Sequence, residues 1–237
     1  MNRRKFIYNS SLASLSVMGL NSCNLSSKNL KITILHTNDV HSQIEPFPSN
    51  HNLYPNKGGF ARRANLINET INLNPNTLIF DAGDIFQGTP YFNFFQGDLE
   101  LSLMKKMGYN AATIGNHEFD AGLKTLKQNI INNDFQFISS NYDFTNTELE
   151  GLIDKYKIYN KGGVKIGVFG LGIELKGLVN PLLYNETKYY NPVDIAKDMT
   201  SKLKFEEKCD LVICISHLGH QYQICLLYTS PSPRDAI

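Results

Sequence analysis

Four short apolar runs in this chain each end in residues able to grip a cation or move a proton. Lys31 to His36 (KITILH) runs into Asp39 and His41, and Thr77 to Asp81 (TLIFD) runs into Asp84. Asn110 to Ile114 (NAATI) runs into the hexapeptide Gly115 to Asp120 (GNHEFD), and Asp210 to Ser216 (DLVICIS) runs into His217. Short apolar runs rich in β-branched residues and bounded by turn signals read as buried strands. Polar groups just beyond strand ends occupy the crevice where open α/β sheets collect ligands. That recurrence restricts the chain to an α/β architecture with its chemistry along one edge.

The intervening sequence agrees. Phe60, Ala64, Ile67 and Ile71 recur at helical spacing until Asn74-Pro75-Asn76 stops them, and Leu123, Leu126 and Ile130 mark a second helix. Asp98 is expected to cap a helix to Met107, with Gly108 at the position that favours positive φ. Asn191-Pro192 pairs a capping residue with an N1 proline, opening a helix whose apolar side is Val193, Ala196 and Leu203. Phe135 to Ser139 reads as a further strand, and Lys155 to Asn160 with Val164 to Gly170 reads as a hairpin across Lys161-Gly162-Gly163. Ser42 to Gly59, with three prolines, and the glycine- and aromatic-rich stretch through Gly97 read as loops. Mostly βα alternation with one hairpin predicts an α/β domain with mixed sheets.

A length of 237 residues at 42% hydrophobic and 19% charged provides one sizeable core. A net charge of +1 offers no single-signed field for nucleic acid or an anionic membrane. The four cysteines, at positions 23, 209, 214 and 225, form no thiolate-rich spacing, so zinc-finger chemistry is unsupported. Residues 1–23 open with Arg3-Arg4-Lys5-Phe6-Ile7 and continue through an apolar run to Leu20, the pattern of an export signal. That opening resembles a twin-arginine signal, and Leu20-Asn21-Ser22-Cys23 resembles a lipoprotein box that would lipidate Cys23. Export to the periplasm or cell surface is therefore expected, with contact to a membrane only through that lipid. Residues 24–30 read as a linker.

Asp39 and His41 are two apart, so in an extended chain both side chains would share a face and hold one ion. Asp84 follows a glycine, which lets its backbone approach an ion, and its carboxylate has two oxygens able to bridge two. Within the hexapeptide, Asn116 offers an amide oxygen, His117 an acid/base and Asp120 a carboxylate to orient it. Each residue alone is equally a turn or capping residue. Carboxylate, imidazole and amide without thiolate suit Mn, Fe, Zn or Mg-like ions. Arg62 and Arg63 read as a solvated or ion-paired helix face. The cluster Phe86, Tyr91, Phe92, Phe94 and Phe95 reads as core, His36 as a core residue and His51 as solvent-facing.

The succession ILHTNDVH, Gly58-Gly59 with Ala61 and Arg62, DAGDIFQGTP, GNHEFD and SHLG resembles the metallophosphatase domain of the bacterial 5′-nucleotidases, within the calcineurin-like phosphoesterases. The resemblance runs in order from about Lys31 to Gly219. It implies two packed mixed sheets flanked by helices. Asp39 and His41 would hold one metal, Asp84 would bridge two, and Asn116 with His217 would hold the second. His117 and Asp120 match the catalytic dyad. Two cations about 3.5–4 Å apart would neutralise a phosphate monoester and make hydroxide available for in-line attack.

That family continues after SHLG with another strand, a Gly-His-x-His segment and a nucleoside-binding domain. Here the sequence after about Gln223 runs ICLLYTSPSPRDAI. Residues 224–237 are accordingly expected to be a non-native tail, with 31–223 an incomplete metallophosphatase domain of impaired activity. Alternatives within the same chemistry are hydrolysis of cyclic nucleotides or UDP-sugars, with a sulfur-oxidation intermediate a more distant substrate. From another class comes a non-catalytic nucleotide-binding lipoprotein.

Overall fold

The computed structural model describes residues 30–219. The export segment, Cys23, His220 and the tail lie outside the described residues. All elements below lie in the compact unit that begins at Ile32.

Strands β1 (Thr33–Thr37), β2 (Thr77–Asp81) and β3 (Ala111–Ala112) form one parallel sheet in that order. Strands β4 (Tyr142–Asp143) and β7 (Lys188–Tyr189) make a small antiparallel pair. The second large sheet has order β5 (Tyr156–Lys161), β6 (Val164–Leu171), β8 (Leu211–Ser216), and it is mixed: β5 and β6 are antiparallel, β6 and β8 parallel. The helices are α1 (Phe60–Leu73), α2 (Pro90–Phe95), α3 (Asp98–Met107), α4 (Gly122–Asn133), α5 (Pro181–Tyr184) and α6 (Pro192–Ser201).

Period-two alternation along the strands builds the layers. Leu78 and Phe80 of β2 face Ile166 and Val168 of β6, so one core fills the space between the sheets. Ile79, between them in sequence, turns to the opposite face and packs with Phe60 and Ile67 of α1, Leu101 and Met104 of α3, and Leu123 and Leu126 of α4. On the far side of the second sheet, Phe169 and Leu171 pack with Leu203 and with Ile195, Ala196 and Met199 of α6. Helix, sheet, sheet, helix is the resulting order of layers.

Local chemistry explains the element ends. Asn191 Oδ1 accepts from the N–H of Val193 (2.9 Å) and Asp194 (3.4 Å), capping α6 as expected. Gly108 ends α3 at φ 87° and Gly162-Gly163 turn the hairpin at φ 58° and 87°. At the other end of α3 the expectation fails: Gly97 occupies the cap, and Asp98 instead accepts from Asn133 Nδ2 at 2.8 Å.

Other expectations need correction. The third strand shrinks to two residues, and Phe135 to Ser139 is no regular strand. That segment passes between the sheets, bridging Ala112 at Phe137 and Asp154 at Ile138, and then Ser140 N–H donates to the Gly170 carbonyl at 2.8 Å. The stretch through Gly97 contains α2, opened by Pro90 at its first turn. Of its aromatic cluster, Phe86 and Phe92 are buried and stack at 5.8 Å, whereas Phe94 is 81% exposed. His36 is exposed: it shares the face of Phe80, but on edge strand β1 it borders an open cleft beside Ile213 and Ile215 of β8 instead of filled core. His51 is half-buried between Phe47 and Tyr54, and its Nδ1 accepts from the N–H of Leu53 and Tyr54.

Candidate metal centre

The loops after β1 and β2 continue the pairing of their strands. Asp39 N–H donates to the Gly83 carbonyl (3.0 Å), His41 N–H to that of Asp84 (3.1 Å) and Ser42 N–H to that of Ile85 (2.8 Å). Asp39, His41, Ser42 and Asp84 all take left-handed backbone, at φ 51°, 44°, 52° and 57°. For side chains with a Cβ such conformations cost about 1–3 kcal/mol each and collect at working sites. Asp39 and His41 thus converge through left-handed turns, not through the strand alternation expected of an extended chain.

Asp84 is the hub. Its Oδ2 lies 3.2 Å from His217 Nε2 and 3.9 Å from His41 Nε2, and its Oδ1 accepts from His117 N–H at 2.9 Å. Two groups of donor atoms, each within 4.8 Å of one another, share it: Asp39, Asp84 and His217, and His41, Asp84 and His117. This division differs from the one the resemblance implied, although Asp39 Oδ1 and His41 Nε2 are also only 3.8 Å apart. Asn116 is half-buried at the head of the 3-10 turn His117–Phe119 and makes no side-chain hydrogen bond among the described residues.

The donor chemistry fits divalent metal. His217 Nδ1 lies 2.9 Å from the Ala82 carbonyl and His41 Nδ1 3.3 Å from that of Phe86. A carbonyl only accepts, so Nδ1 carries the hydrogen in both rings and each Nε2 faces Asp84, the nitrogen left to ligate an ion once it is deprotonated. Metal-ligating histidines are oriented in this way. Both groups combine carboxylate and imidazole without thiolate, a donor set that suits Mn, Fe, Zn or Mg-like ions.

Electrostatics follow from the crowding. Burial opposes the charge on Asp84, but the His217 hydrogen bond and charge outweigh it and hold the carboxyl below its usual range. Burial likewise opposes protonation of His217, yet Asp84 pushes it up to about 9. Cation binding must therefore displace a proton from His217. His117 Nδ1 sits 2.7 Å from Asp120 Oδ2, and that hydrogen bond raises the imidazole above its ordinary pKa against the effect of burial.

Two buried carboxyls next to the site escaped the sequence reading. Glu118, inside the hexapeptide, is wholly buried and accepts from four backbone N–H groups. Asp81 accepts from Thr37 Oγ1 (2.6 Å) and Gly83 N–H (2.9 Å), and burial raises it to about 7. Neighbouring charge within a motif was the only signal for either. Arg62 donates to the Asn56 carbonyl and Arg63 lies over the Phe60 ring, so neither arginine's described contacts belong to the site.

A shared carboxylate flanked by histidines at the carboxyl edge of a two-sheet sandwich, with a histidine–aspartate pair beside it, defines a metallohydrolase-type centre. The family model for calcineurin-like phosphoesterases matches residues 32–235, and the chain belongs to that family of metal-dependent hydrolases. It is 36% identical over 197 residues to a snake venom 5′-nucleotidase of Crotalus adamanteus, covering 80% of this chain and 33% of the relative. A 5′-nucleotidase of Vibrio cholerae is 32% identical over 197 residues, covering 81% and 34%. Among solved structures, the 5′-nucleotidase precursor of Thermus thermophilus superposes with a TM-score of 0.71 at 31% identity, over 79% of this chain and 37% of that one. The chain spans about a third of the length of the curated relatives it matches.

Proposed function

We propose that this chain carries the catalytic residues of an exported phosphoesterase that hydrolyses nucleotide phosphate monoesters, as a 5′-nucleotidase does. The observation that carries the reading is the His117–Asp120 pair at 2.7 Å, standing beside donor groups that share Asp84. The names of the relatives support the substrate class. The basic opening of the chain and Cys23 support export, with lipidation as the anchor.

Asp39, His41, Asp84, Asn116 and His217 would hold two divalent ions. Such ions, when bound, neutralise the ester oxygens and lower the pKa of water. The protein's own residues do the rest. Asp84 Oδ1 accepts the His117 N–H and so fixes the turn that presents His117. Asp120 accepts from Nδ1 and so fixes the tautomer, leaving Nε2 of a part-exposed ring to face substrate. A protonated His117 donates that Nε2 hydrogen to the leaving oxygen, a contribution of ~10²–10⁴-fold.

The test is phosphate release from AMP by protein loaded with Mn²⁺ or Zn²⁺, before and after chelation. Release that stops on chelation and returns with metal supports the proposal. Tight AMP binding without release would make the protein a binder instead.

A further inference from the structure

Glu118 is a buried acid that takes no part in the chemistry of the reaction above, and its surroundings say why it is there. Its Oε2 accepts from Asp84 N–H at 3.0 Å and Gly115 N–H at 2.6 Å, and its Oε1 from Ile85 N–H at 2.7 Å and Phe86 N–H at 3.4 Å. An ionised carboxylate has about four lone-pair sites, and all four are engaged. Nothing is left with which to ligate an ion or take a proton from substrate. What the four bonds do is join two segments more than thirty residues apart in sequence, the loop after β2 and the turn after β3.

The link is reciprocal. Glu118's side chain holds the backbone of Asp84, while Asp84 Oδ1 accepts the backbone N–H of His117 at 2.9 Å. Each segment thereby fixes the other's working side chain. The 3-10 turn His117–Phe119 makes this possible by sending Glu118 inward beside the fully buried Phe119 while His117 stays part-exposed.

We propose that Glu118 is a positioning residue: it clamps the loop carrying Asp84 to the turn carrying Asn116 and His117 and so sets the spacing of the donor groups. Only a carboxylate of this length serves. Glutamine would turn an NH₂ donor against N–H donors, and aspartate is one methylene short.

The inference rests on reading Asp84 and His117 as working residues, and its test separates the two. In metal-free Glu118→Gln, amide hydrogen exchange at Asp84, Ile85, Phe86 and Gly115 is expected to quicken at least about tenfold together, with β6 amides unchanged. Mn²⁺ affinity, read by competition with a chromophoric chelator, should weaken ~10–100-fold, as for lost partners of metal ligands. Leu203→Ala, which opens a cavity in the other sheet's helix-side core, should lower the melting temperature and leave the Mn²⁺ affinity of the folded protein intact. Unchanged exchange at the four amides, or unchanged Mn²⁺ affinity, in folded Glu118→Gln overturns the proposal. Should that variant fail to fold, the wild type decides: the four amides must exchange as one protected block, and independent, fast exchange refutes the clamp. A wild type that binds no Mn²⁺ counts against the proposed function, while the exchange result still judges Glu118.

Discussion

Gly115→Ala is the smallest change that should disable the site. A Cβ at residue 115 would lie 2.4 Å from Asp84 Oδ1 and 2.7 Å from Asp84 N. The carboxylate oxygen falls about 1 Å short of an ordinary contact at 3.4 Å. The backbone nitrogen cannot rotate away, since it donates to Glu118. The clash is therefore relieved by moving Asp84, which loosens the His117 N–H bond it accepts. Overpacking of this kind costs ~1–3 kcal/mol of stability, and a displacement of about 1 Å at reacting groups costs ~10²-fold in rate. Thermal melts, Mn²⁺ competition and phosphate release from AMP would read the three effects. Gly163→Ala is the control: nothing lies within 4 Å of its Cβ, but φ is 87°, so it should lose ~1–2 kcal/mol and leave metal affinity untouched. Native Mn²⁺ affinity in Gly115→Ala would refute the argument that the glycine makes room for Asp84.

Other substitutions probe the acid chemistry and the buried charges. His117→Ala is expected to lower turnover ~10²–10⁴-fold while metal content survives; loss of metal would make His117 a ligand. Asp120→Asn removes the carboxylate charge that helps to raise the His117 pKa and weakens the hydrogen bond it accepts, so the alkaline limb of the pH–rate profile should move to lower pH. Asp81 is raised by burial from 3.8 to about 7, so the native state binds its proton more tightly than the unfolded chain does. Its effect on stability is most favourable below the unfolded pKa, weakens as pH rises toward 7, and is level above that. In urea denaturation of metal-free protein at pH 5 and pH 8, Asp81→Asn should therefore gain on wild type by a few kcal/mol, on the order of magnitude of such shifts, at the higher pH. Parallel stabilities at both values would refute the assignment.

The strand ends were legible because buried strands advertise themselves by β-branched runs, and because Asp39, His41, Asp84, His117 and His217 follow those runs at once. What escaped depends on distant segments. The left-handed turns that bring Asp39 and His41 together have no local signature, since neither residue is glycine. Glu118 looks like a surface acid in GNHEFD, and only the amides of Asp84, Ile85 and Phe86 make it a buried one. The short helix Pro90–Phe95 is too brief to show a helical period. Phe135 to Ser139 has strand composition but pairs only through isolated bridges, to Ala112 and to Asp154, so no ladder forms.

Crystals of the protein soaked in Mn²⁺ and measured at the manganese edge would settle whether Asp84 is shared. Two anomalous peaks flanking its carboxylate, one toward Asp39 and His217 and one toward His41, are the predicted result. A single peak away from Asp84, or none at saturating Mn²⁺, would contradict a shared-carboxylate centre and the hydrolysis built on it.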